Sequence, residues 1–121
     1  MTHITVIENR DSMTVGIHAV GHAGYAEAGR DIVCAAASVL IQTFAKICEA
    51  LREQGALAEI TLLPGESSVQ ASLISREQYE YASVCLQTVE VGLRMIAEVY
   101  PNHVQITADR FSCGTNLSEV I

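Results

Sequence analysis

The chain has 121 residues, half of them apolar and none of them tryptophan, a length at which one compact domain buries enough surface to fold without staples. Fourteen acidic against seven basic side chains leave a net charge of −7, which repels a phosphate backbone and offers no basic stripe, so no direct nucleic-acid partner is expected, whereas a basic protein would be drawn in. Apolar runs are broken by Gly, Gln or Lys before they reach the roughly 18 residues of a membrane span, and the N-terminus lacks the basic head and apolar middle of a secretory signal, so a cytoplasmic protein without membrane association is expected.

In chain order, a hairpin comes first. Residues 3–9 (HITVIEN) and 13–20 (MTVGIHAV) are β-rich, Met13, Val15, Ile17 and Ala19 alternate onto one face, and Arg10, Asp11 and Ser12 supply the turn. The loop GHAGYAEAGR comes next, its Gly21, Gly24 and Gly29 permitting sharp or left-handed backbone. A helix is then expected from Ile32 to Gln54, with Asp31 as N-cap and Gly55 as its stop. Its apolar residues Val33, Ala37, Ile41, Phe44 and Ile47 do not share one narrow stripe, so it needs more cover than a single sheet provides, from a second helix or a second copy of the chain. A second hairpin reads AEITLL, the turn PGES, and SVQASLI, with Val69, Ala71 and Leu73 alternating. The second helix opens at Ser75, where Gln78 completes a capping box, and ends before Pro101; HVQITA, residues 103–108, is a fifth strand. The order ββαββαβ predicts a single domain over residues 1–121, an α+β two-layer sandwich with a mainly antiparallel sheet and two helices.

Four cysteines at 34, 48, 85 and 113 form no CxxC pair, so neither a zinc ribbon nor a disulfide framework is indicated. Cys48 and Cys85 fall among apolar helical residues as core thiols do, and Cys113 lies in the C-terminal tail. Cys34 differs. With Asp31 as N-cap it is the third helical residue, where backbone N–H groups lack intrahelical partners and the helix dipole favours a thiolate. His22, at the glycine-rich exit of the second strand, could fold back over it as the base. Taken alone, the pair is equally readable as a buried thiol and a polar loop histidine. No metal is expected: His18 and His22 have the spacing of a helical zinc pair but lie in a strand pattern broken by Gly21. His3 and His103 read as ordinary sheet or surface residues, and no cofactor is indicated.

The segment GHAGYAEAGRDIVCAAAS resembles the signature of the ribosomal-processing cysteine proteases, the Prp family, in which a GHA segment and a G-x-DIVCAA-x-S segment carry the catalytic histidine and cysteine. The likeness continues through QTFAKICEAL and the order of elements; Ala37 stands where many members have Val. It implies His22 as general acid/base and Cys34 as nucleophile, with Asp31 and Ser38 in supporting roles. It implies a loop over the site containing Gly21, Gly24 and Gly29, and oxyanion donors at the helix start. It also implies a homodimer, and as substrate the basic twenty-seventh protein of the large ribosomal subunit, whose N-terminal extension such proteases remove. The competing reading is a non-catalytic acidic adaptor for a basic ribosomal or assembly partner.

Overall fold

The computed structural model describes residues 1–27 and 31–111. Its elements are β1 (Thr2–Asn9), β2 (Thr14–Val20), α1 (Ile32–Glu53), β3 (Leu57–Leu63), β4 (Glu66–Ser72), α2 (Arg76–Val99) and β5 (Val104–Phe111), in the expected order ββαββαβ. The strands form one sheet ordered β3-β4-β2-β1-β5. Three pairings are antiparallel, and β1 with β5 is parallel, so the sheet is mixed.

Alternation sets the core. Ile4 and Val6 of β1, Val15, Ile17 and Ala19 of β2, and Val69 and Ala71 of β4 are buried against the helices. From α1, Val33, Ala37, Ile41, Phe44, Cys48 and Leu51 recur at helical spacing and fill the same layer. By length and composition α1 is long and apolar enough to cross a membrane, contrary to the reading that interrupted runs rule this out; in the fold about a third of that stretch is buried, where the helix packs on the sheet and on α2. The second helix supplies part of the extra cover α1 needs, yet Ile32 and Val39 of α1 and Val84, Val91, Met95 and Val99 of α2 remain exposed.

The helix ends obey their local chemistry. Asp31 caps α1, and Gln54 closes it ahead of Gly55 at φ 100°. Ser75 Oγ accepts from the Gln78 N–H at 3.1 Å, and Gln78 Oε1 accepts from the Ile74 N–H at 2.9 Å, so the capping box reaches one residue further back than its usual form. At the far end of β1 the core contains charge. Glu8 is fully buried and accepts from Ser83, from Gln87 at 3.3 Å and from Arg110 Nε at 2.9 Å, while Arg110 also pairs with Glu90. This cluster ties β5 and β1 to α2, and satisfaction of both carboxylate oxygens makes the burial tolerable.

Candidate active site

The site is built where β2, the start of α1 and the β3–β4 turn meet. The chain leaves β2 through Gly21 at φ 97°; a Cβ there would lie 2.4 Å from the Met1 carbonyl oxygen, so only glycine fits. The Gly21 N–H donates to the Gly65 carbonyl at 2.8 Å and fastens the loop to the Pro64–Gly65 turn. His22 then lays its imidazole on that turn: a Cβ on Gly65 would meet His22 Nε2 at 3.0 Å. Ala23 is buried, and its N–H donates to Cys34 Sγ at 3.2 Å.

Asp31 joins this loop to the helix. Its Oδ1 accepts from the N–H groups of Val33 at 3.0 Å and Cys34 at 2.9 Å; its Oδ2 accepts from Tyr25 at 3.0 Å and Ala26 at 3.4 Å. One carboxylate thus caps the helix and holds the loop over it. Burial pushes its carboxyl upward, but the N–H groups of Cys34, Tyr25 and Ala26, with the Cys34 thiol, outweigh that and hold it below its ordinary value. The expected cap is therefore present, with a second function the sequence did not reveal.

Cys34 is half-buried as the third residue of α1, and Ser38 lies one turn beyond it. His22, Gly24, Asp31, Cys34, Ala35 and Ser38 line a common cleft of about 550 Å³. It continues past Pro64 and Gly65 into a groove of about 290 Å³ between Ser38, Ile41 and Gln42 on one side and Leu62, Leu63 and Ser67 on the other. Histidine and thiol therefore share one cleft, although among the described residues no hydrogen bond joins them; such contacts commonly tighten only with substrate bound. Ala35 borders the cleft, whereas Ala37 belongs to the core.

The oxyanion donors expected at the helix start are engaged. The Val33 and Cys34 N–H groups serve Asp31 Oδ1, and that of Ala35 serves the Asp31 carbonyl at 3.0 Å. Cys48 is fully buried and Cys85 only partly so. His18 lies within β2, 4.0 Å from Glu66, and among the described residues no three His, Cys, Asp or Glu side chains gather to hold a metal. Gly29, of the anticipated loop, and Cys113 lie outside the described residues.

Sequence reading missed His103. It precedes β5, its Nδ1 lies 2.8 Å from the Ala23 carbonyl oxygen, and its ring meets Tyr25 edge-on at 5.5 Å between centroids. The contact spans 80 residues of chain, so no local pattern could announce it.

The family model described as "Cysteine protease Prp" matches residues 1–105. The chain is 34% identical over 93 residues to the ribosomal processing cysteine protease Prp of Mycoplasma genitalium, covering 77% of this chain and 87% of that one. Among solved structures it is similar to a ribosomal processing protease Prp from S. aureus in complex with a covalently linked product peptide, with a TM-score of 0.70 and 24% identity over 90% of this chain and 100% of that one. A protein of Streptococcus mutans gives a TM-score of 0.62 and 26% identity, covering 93% of this chain and 96% of that one.

Proposed function

Because the chain belongs to the cysteine protease Prp family, we propose that its cleft hydrolyses a peptide bond of a ribosomal protein through Cys34 and His22. The observation that carries this reading is the meeting of the two residues in one cleft, with the thiol in the first turn of α1 and the imidazole laid against the β3–β4 turn.

The Cys34 thiolate attacks the scissile carbonyl, forming a C–S bond as the carbonyl electron pair moves to oxygen. Collapse of that oxyanion breaks the C–N bond, and protonated His22 gives its proton to the departing amine. Water activated by the now neutral His22 then releases the acyl group. Asp31 acts by position, holding the loop that carries His22 and Ala23 against the helix that carries Cys34. Ser38, exposed on the cleft wall, takes a supporting role beside the bound chain.

The substrate is the twenty-seventh protein of the large ribosomal subunit, cut in the cytoplasm to remove its N-terminal extension; net charge −7 favours encounter with such a basic protein. The enzyme works as a homodimer, with the exposed apolar side chains Val39, Met95 and Val99 as the surface a second copy would cover.

The test is the intact mass of that ribosomal protein, made with its extension and incubated with the wild type and with Cys34→Ala. A single truncation by the wild type alone is expected. Truncation by both proteins would remove Cys34 as nucleophile, and truncation by neither would turn the reading to an acidic adaptor.

A further inference from the structure

Thiolate attack leaves negative charge on the substrate oxygen, and preorganised N–H donors aimed at it contribute a large share of catalysis. The start of α1 has little to give, because the Val33 and Cys34 N–H groups are taken up by Asp31. The other wall of the cleft is different. The Ala23 N–H already points at Cys34 Sγ from 3.2 Å. As sulfur loses its negative charge on attack, that donor can pass to the oxyanion formed on the adjacent carbon.

The next peptide bond, Ala23–Gly24, is trans, and its carbonyl points at His103 Nδ1, 2.8 Å away. An acceptor carbonyl requires a proton on that nitrogen. A planar trans peptide directs its N–H opposite to its C=O, so the Gly24 N–H faces away from His103. Gly24 borders the cleft of Cys34, and His103 does not. His103 is itself fixed: its N–H donates to the Tyr100 carbonyl at 3.0 Å and its carbonyl accepts from the Thr2 N–H at 2.9 Å. Its ring packs on Tyr25, which in turn meets Tyr100 edge-on at 5.2 Å.

We infer that the oxyanion hole of this enzyme is formed by the backbone N–H groups of Ala23 and Gly24, and that His103 is the positioning residue that orients it. The inference rests on the cysteine-protease reading and adds the donors that reading lacks. His103 touches neither substrate nor nucleophile; it acts through one peptide plane.

The experiment compares His103→Phe, which keeps a ring against Tyr25 and deletes the donor, with His103→Asn, whose amide nitrogen falls near the place of Nδ1. The substrate is a fluorogenic peptide spanning the extension of the ribosomal protein, and a peptide aldehyde of the same sequence probes the tetrahedral adduct. His103→Phe should lower kcat by roughly 10- to 100-fold with KM little changed, and weaken the aldehyde by a matching factor. Iodoacetamide alkylation of Cys34, which forms no oxyanion, should change far less, and His103→Asn should restore most of kcat. Equal kcat in wild type and His103→Phe, or a loss confined to KM, overturns the proposal. A Gly24 amide-to-ester chain assembled at Cys34 removes the N–H without relying on His103; unchanged kcat there also overturns it. If the wild type cleaves nothing, the protease reading fails and this inference falls with it, an outcome distinct from cleavage that ignores His103.

Discussion

Replacing Asp31 by asparagine should separate its two functions. In the wild type four N–H groups donate to one carboxylate, two at the start of α1 and two in the loop at Tyr25 and Ala26. Asparagine is as good an N-cap as aspartate, so an amide oxygen facing Val33 and Cys34 keeps the helix start. The amide nitrogen then faces the Tyr25 and Ala26 N–H groups, donor against donor, and the loop is pushed off. Because Tyr25 and Ala26 are exposed, water replaces their lost acceptor and little stability is lost. Asp31→Ala loses the cap as well, about 0.5–2 kcal/mol, or roughly 2–10 °C in Tm for a domain of this size. Both variants should lose activity, since His22 and Ala23 ride on the released loop. The pH dependence comes from the lowered carboxyl pKa. The contribution of Asp31 is complete above its ordinary value of 3.8 and is lost as pH falls through the still lower folded value. The assay is Tm from pH 2 to 7 together with kcat/KM at neutral pH for wild type, Asp31→Asn and Asp31→Ala. The expected result is a near-normal neutral Tm with low activity for Asn, and a low Tm with low activity for Ala, the advantage of the wild type over Ala narrowing in acid as the carboxylate charge is lost. Full activity in Asp31→Asn would refute the tether; a neutral Tm equal to wild type in Asp31→Ala would refute the cap.

Other expectations rest on the same geometry. Burial, with the neighbouring Cys85 second, pushes the Cys48 thiol up to about 12, so peptide mapping after iodoacetamide at pH 8 should find Cys34 labelled and Cys48 untouched until the protein unfolds; equal labelling would contradict the packing of α1. Glu8→Ala leaves the Arg110 guanidinium short of its buried partner and should cost about 3–5 kcal/mol in urea unfolding, with activity retained while the protein stays folded; a loss below 1 kcal/mol would mean the cluster is solvated. Gly65→Ala places a Cβ 3.0 Å from His22 Nε2 at a residue held at φ 78°, so it should lose about 1–2 kcal/mol from left-handed strain and lower kcat by displacing the imidazole. Wild-type kcat in a folded Gly65→Ala would show that His22 does not depend on the turn.

The order of elements, both helix caps and the place of Cys34 in the first turn of α1 were legible in the sequence because each depends on residues within a few positions of one another. Alternation fixed which faces of β2 and β4 turn inward, and Asp31 announced the helix that begins one residue later. Contacts between residues distant in the chain left no such mark. The parallel pairing of β5 with β1, the resting of His22 on Gly65 and the reach of His103 to Ala23 arise only when strands far apart in the chain lie side by side. Glu8 looked like any polar residue of a hairpin strand, and its burial among Ser83, Gln87 and Arg110 depends on where α2 crosses the sheet. Asp31 shows both levels in one side chain. Its first oxygen answers donors two and three residues away, which periodicity and capping rules anticipate, and its second answers a loop folded back over the helix, which tertiary packing alone puts within reach.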